Sequence, residues 1–241
     1  MTPARTTAAP LALAQIPTLL RGEVRPIQLW IAEWSSARLC LYVAVIVAGT
    51  AAFGLVVGAW RDPVQGFYTA IKFPLIVLLT AAGNGLLNGM LAPLLGTNIS
   101  FRQSLLAVLM SFTIAAAVLG ACAPLIYFVI WNAPMLSDKT ASASTTHSFI
   151  LLMVVAAIAL AGIVANARLL QLLRQLSGSP ASARRTLFAW LAGNLLLGSQ
   201  VSWILRPFVG SPSLPIQFLR DDPFRGNFYE SVFHALQRLL S

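Results

Sequence analysis

Leu39-Cys-Leu-Tyr-Val-Ala-Val-Ile-Val-Ala-Gly-Thr-Ala-Ala-Phe-Gly-Leu-Val-Val-Gly-Ala-Trp60 contains no charged residue. A helix needs roughly 20 mostly apolar residues to cross about 30 Å of hydrocarbon. This one stretch therefore places the chain in a membrane. Working outward, four further stretches meet the same standard: residues 73–95, 104–131, 148–165 and 186–205. The fourth continues as an amphipathic helix through Arg168 and Arg174. The fifth is the weakest, interrupted by Asn194, Ser199, Gln200 and Ser202. Strands of a membrane barrel alternate apolar and polar residues, whereas these runs are continuously apolar. The expected fold is all-α, a multi-pass transmembrane helical bundle of five spans with amphipathic N- and C-terminal helices. Residues 1–38 form an N-terminal arm, 39–205 the membrane domain and 206–241 a C-terminal tail.

Composition agrees. Of 241 residues, 58% are hydrophobic and 10% charged, against about 25% charged in a soluble domain. A water-soluble enzyme could not hide so much apolar surface. Disorder requires low hydrophobicity, and the two cysteines, Cys40 and Cys122, both lie in apolar runs and give no disulfide framework.

Arginine and lysine near the spans set the expected orientation. With the N-terminus in the cytoplasm, the inner segments hold Arg5, Arg21, Arg25, Arg38, Arg102, Arg168, Arg174, Arg184 and Arg185, and the outer loops hold Arg61, Lys72 and Lys139. The tail, with Arg206, Arg220, Arg225 and Arg238, then falls outside unless the fifth span is re-entrant. Residues 11–20 are too short, and broken by Gln15 and Pro17, for a cleavable signal. The first span is expected to direct insertion. Trp60, Trp131, Trp190 and Trp203 fall near span ends, as an aromatic belt requires. Ile27, Trp30, Ile31 and Trp34 recur on one face of a short helix, either anchored at the interface or packed on the bundle. Near the other terminus, Asn227 can cap a helix whose Tyr229, Val232, Phe233, Leu236, Leu239 and Leu240 form one apolar stripe. That stripe must cover the lipid interface, the bundle or a partner.

Polar equipment inside the spans is scarce. Glu23, Glu33, Asp62, Asp138, Asp221, Asp222 and Glu230 all lie outside them, as do His147 and His234. No metal motif, phosphate loop or spaced carboxylate pair occurs, so no cofactor or metal is expected and the chain is read as no enzyme. Ion-coupled carriers place ionisable groups inside the membrane. Here Lys72 and Arg168 stand at span ends, where they are expected to snorkel as anchors.

What the spans do hold is glycines and amides. Gly54 and Gly58 form one GxxxG pattern, Gly85 and Gly89 another. Asn84 and Asn88 share a helix face, and Asn194 and Gln200 interrupt the fifth span. Such residues let helices approach and bond across. Three roles are open to them: intramolecular packing, a self-association face, or a polar strip lining a water path. Residues 82–87 and 192–197 share Ala-Gly-Asn-x-Leu-Leu, the kind of pairing an inverted repeat would leave. Pro124 would kink the third span.

The joint Leu94-Leu-Gly-Thr-Asn-Ile-Ser-Phe-Arg-Gln-Ser-Leu-Leu-Ala107, together with five spans behind a cytoplasmic arm, resembles the Yip family of membrane proteins and its bacterial relatives. The likeness covers residues 36–205, mostly by layout. The third span lacks the family's aromatic-proline start, and the tail is longer than the family plan. The resemblance implies a non-enzymatic scaffold or adaptor that binds other proteins and shapes membranes. A small-solute channel or carrier lined by Asn84, Asn88, Asn194 and Gln200 is the alternative reading, and an accessory subunit of a larger membrane complex a further one. Arginine outnumbers lysine 14 to 2, a habit of GC-rich genomes that points to a bacterial inner membrane. The net charge of +9 fringes the spans, where it meets anionic headgroups rather than nucleic acid. Expected partners are therefore lipid and other membrane proteins or a second copy.

Overall fold

Serines open three of the long helices. Ser35, Ser100 and Ser179 each accept a backbone N–H three residues on, which satisfies a donor that a helix start leaves unpaired. At Ser100 the bond is reciprocated, since Gln103 accepts from the Ser100 N–H, forming a capping box. That box is the Ser-Phe-Arg-Gln motif of the joint. The computed structural model describes residues 15–94, 99–133, 141–177, 179–210 and 214–230.

Among the described residues two short helices, α1 (Gln15–Arg21) and α2 (Val24–Ala32), precede five long ones: α3 (Ser36–Ala59), α4 (Pro63–Leu94), α5 (Phe101–Trp131), α6 (Ala141–Leu176) and α7 (Pro180–Ile204). All five long helices are apolar and long enough to cross a membrane. They alternate in direction. One end of the bundle carries α1, α2 and most of the arginines (the Arg-rich end). The other carries the α3–α4 turn (the hairpin end). Two apolar clusters fill the core. One, at the Arg-rich end, joins Leu19 and Ile27 of the arm to Leu106, Met110 and Leu173. The other, at the hairpin end, joins Phe53, Phe73, Ile126 and Ile150.

Several sequence expectations shift. The second long helix begins at Pro63 rather than residue 73, and the fourth at Ala141 rather than 148. The arm packs on the bundle: Ile27 and Ile31 are buried, and α2 touches α5 and α6. Gly22, at φ +71°, makes the turn between α1 and α2, where the Arg168 side chain leaves no room for a Cβ. Arg168 does not reach for the surface; its Nε donates to the Leu20 carbonyl at 2.9 Å, closing the end of α1. Trp190 is no interface anchor, being wholly buried. Trp60 is buried beside His147, and Trp131 is exposed at the hairpin end. Trp30 and Trp34 carry the guanidinium groups of Arg38 and Arg102 on their rings. Pro124 sits inside α5, which continues past it to Trp131.

Both GxxxG patterns serve packing within the chain. A Cβ at Gly54 would lie 2.5 Å from the Thr69 carbonyl oxygen, and one at Gly58 2.5 Å from that of Gln65, so α3 and α4 touch backbone to backbone. Gly85 and Gly89 receive Leu105 and Phe101 of α5. A third crossing, of α3 on α5, rests on Gly49 against Ala116 and Gly120.

Candidate functional site

The polar side chains of α4 fall into two seams. The first lies near the Arg-rich end. Thr80, Asn84 and Asn88 follow one another at four-residue spacing, and all three are buried. Thr80 and Asn84 face α7, where Gly198 lies beside Thr80 and Gly193 leaves room for the Asn84 amide. Asn84 Nδ2 donates to Asn194 Oδ1 and, at 3.4 Å, to the Trp190 carbonyl. The two Ala-Gly-Asn segments thus cross antiparallel, joined through their asparagines. Of the amides singled out in the sequence, Asn84 and Asn194 are brought together. Asn88 lies further along the same face, while Gln200 is half-buried beyond the Asn84–Asn194 contact. Thr80 Oγ1, both amide atoms of Asn88, Ser104 Oγ, Thr186 Oγ1 and Trp190 Nε1 are buried without a hydrogen-bond partner among the described residues. Each such group costs about 1–3 kcal/mol if it stays dry.

The second seam lies toward the hairpin end, and sequence reasoning missed it. Helix α7 stops at Ile204, at the level of Lys72, which is about 13 Å short of the start of α4. Non-helical backbone completes the crossing. Pro207 and Phe208 lie against α4, and Gly210 reaches Arg61 in the α3–α4 turn. Irregular backbone at such depth is tolerated only where protein satisfies it. Here α4 does so. Lys72 Nζ donates to the Pro207 carbonyl at 2.7 Å, and Gln65 Nε2 to the Pro207 and Phe208 carbonyls at 3.1 and 2.8 Å. Thr69 Oγ1 donates to Phe208 at 2.8 Å. Gln65, Thr69 and Lys72 stand at i, i+4 and i+7, so one face of α4 forms a ladder of donors.

Lys72 is therefore no snorkelling anchor. It is 0% exposed and touches no carboxylate; the ion pairs among the described residues are the exposed Arg21–Glu23 and Arg225–Asp222. Its charge is held by the Pro207 carbonyl, just beyond the C-terminus of α7, which carries partial negative charge. The rings of Phe218 and Phe208, 5.0 and 5.9 Å from Nζ, add to this. The sequence signal was a polar stripe, Gln65-x-x-x-Thr69-x-x-Lys72, in what looked like a loop.

After Gly210 the chain turns back. Leu214 accepts from Arg61, and Phe218 packs edge-on against Tyr68. Arg225 accepts from Trp203 Nε1, and Tyr229 reaches Ser199 and Leu195 of α7. This strap, of which residues 206–210 and 214–229 are described, carries exposed Asp221, Asp222 and Arg225 along the α4–α7 flank. By contrast, the outer face of α6 is apolar, with Leu152, Val155 and Ile163 exposed. His147, at the hairpin end, is half-buried against Trp60, and burial holds its imidazole below the ordinary histidine range. Among the described residues no three His, Cys, Asp or Glu side chains gather as a metal site. No family model, curated protein or solved structure matches the chain.

Proposed function

We propose that this protein is a non-enzymatic integral membrane scaffold or adaptor that works through protein and lipid contacts, as its resemblance to the Yip family implies. One observation carries the reading. The α4–α7 flank is overlaid by a strap bearing Asp221, Asp222 and Arg225, groups that hydrocarbon solvates poorly, so a protein surface suits it better than lipid. The apolar outer face of α6 between Phe149 and Ile163 suits lipid. The excess of arginine over lysine favours a bacterial inner membrane, and the distribution of the arginines favours an arm in the cytoplasm, where its cations meet anionic headgroups.

A photo-crosslinking residue in place of Phe224 on the strap, compared with one in place of Leu152 on α6, tests this in native membranes. Discrete protein adducts at 224 and lipid adducts alone at 152 support the scaffold. Lipid adducts at both positions overturn it. A second reading is favoured by the unpartnered polar groups of Asn88, Thr186 and Trp190: a path for water or a small neutral solute along the first seam. Reconstituted flux that Asn84→Leu with Asn88→Leu abolishes, in protein that still folds, would establish that path and displace the scaffold.

A further inference from the structure

The C-terminal stripe expected from Val232 to Leu240 lies outside the described residues. At the Arg-rich end, described residues of the arm and α6 build a polar groove of about 380 Å³. Arg21 and Gly22 of the α1–α2 turn form one wall, and Arg168, Gln171, Arg174 and Gln175 of α6 the other. Three guanidinium groups thus meet in one place. The carboxylate beside them is Glu23, which accepts from Arg21 at 3.1 Å and is itself exposed.

Arg168 is held in place. Its Nε donates to the Leu20 carbonyl at 2.9 Å and its Nη1 to Gln171 Oε1 at 3.1 Å, which fixes the guanidinium plane and leaves the rest of its N–H fork for a ligand. Gln28 Nε2 donates to Gln175 Oε1 at 2.8 Å and ties α2 to α6 beside the groove. A planar, pre-set guanidinium fork matches the oxygens of a phosphate group two at a time. Arg21 and Arg174, both exposed, add positive charge from the two walls.

The groove stands where the apolar face of α6 ends. Leu160, Ile163, Ala167, Gln171 and Arg174 follow one another at i, i+3, i+7, i+11 and i+14, on one face of the helix. Leu160 is 50% and Ile163 69% exposed, and Ala167, Gln171 and Arg174 are exposed too. From Phe149 to Ala167 every exposed side chain of α6 is apolar. That length of helix rises about 27 Å, close to the roughly 30 Å of hydrocarbon in a bilayer. Charge begins one residue later, at Arg168, which is the depth of the headgroups. We propose that the groove seats the phosphate group of an anionic phospholipid whose acyl chains lie along Leu160, Ile163 and Ala167. The groove alone would take any phosphate; the apolar face that adjoins it selects a lipid over a soluble anion. The proposal rests on the reading of the outer face of α6 as lipid-facing.

Calorimetric titration of the full-length protein in neutral detergent tests this, with dioctanoyl phosphatidylglycerol, dioctanoyl phosphatidylcholine and inorganic phosphate as separate ligands. Phosphatidylglycerol is expected to bind roughly tenfold more tightly than either of the others. Arg21→Gln with Arg174→Gln is expected to weaken phosphatidylglycerol by roughly tenfold, since both lost donors are charged, and to leave the melting temperature without lipid unchanged. Arg184→Gln with Arg185→Gln removes the same charge at the same end of the bundle, outside the groove, and is expected to change that affinity by less than about threefold. Equal binding of the two lipids, or an equal loss in the two paired variants, would reduce the effect to general attraction or none and overturn the proposal. Inorganic phosphate binding as tightly as phosphatidylglycerol would assign the groove to a soluble anion and overturn it as well. Either result, together with lipid adducts at the Leu152 crosslinker, would sink the groove while leaving the lipid-facing reading of α6 in place.

Discussion

Replacing Gln65 by Leu and Thr69 by Val, singly and together, tests the donor ladder that holds the strap. The Phe208 carbonyl accepts from both side chains, and the Pro207 carbonyl from both Gln65 and Lys72. Gln65→Leu removes two hydrogen bonds to the strap yet leaves each of its carbonyls one donor. With a net worth of about 0.5–1.5 kcal/mol per bond, it costs about 1–3 kcal/mol. Thr69→Val removes one bond to Phe208 and costs about 1 kcal/mol. The double substitution leaves the Phe208 carbonyl with no donor, adding the desolvation penalty of a buried acceptor, about 1–3 kcal/mol, to the sum of the singles. A coupling of that size is about a 5–150-fold effect beyond the product of the single effects. Release of the strap can be read as the rate of tryptic cleavage after Arg220 and Arg225, which tracks the open population when reclosing is faster than cleavage. If the double variant is cleaved no faster than the product of the singles, the strap is not held by a shared acceptor and the ladder is not its fastening.

Asn84→Leu strands the Asn194 amide it bonds. The pair Asn84→Leu, Asn194→Leu should therefore lose less stability in detergent unfolding than the two singles summed, on a scale of about 0.6–2 kcal/mol per interhelical bond. Gly49→Ala drives a Cβ into the Ala116 carbonyl and should lower thermal stability. Gly162→Ala, with open space around it, should be neutral or stabilising by up to about 1 kcal/mol from helix propensity. His147 titrates lower folded than unfolded, so the unfolded chain binds more protons below its ordinary value of 6.5. Stability should be flat above pH 6.5 and fall as pH drops below it. His147→Phe should remove that slope in a pH series of melting curves.

The membrane assignment needed no tertiary information. Helices in lipid must close their own hydrogen bonds over a fixed thickness, so an uncharged stretch such as 39–60 can adopt few structures. The crowded glycines were visible for the same reason: small residues at four-residue spacing mark close helix contacts, although their partners were not legible. Asn84 and Asn194 drew notice as polar residues in apolar runs. That they meet each other depended on the antiparallel register of α4 and α7, which only packing sets. Lys72 was misjudged because a lone lysine near a span end ordinarily snorkels. Its burial depends on the Pro207 carbonyl, which lies 135 residues away in sequence and becomes available only because α7 stops short. Trp190 likewise sits near an expected span end and is buried, because α7 begins at Pro180 rather than at residue 186.

By itself, then, the sequence determined the medium, the five long apolar helices and the exclusion of acidic residues from the long apolar runs, all consequences of local composition acting against hydrocarbon. Tertiary structure decided which polar groups face one another, where the fifth crossing gives up its helix, and how the strap turns back along α7. Those outcomes rest on contacts between distant segments, and a polar group buried in a bundle is stable only where such a contact satisfies it.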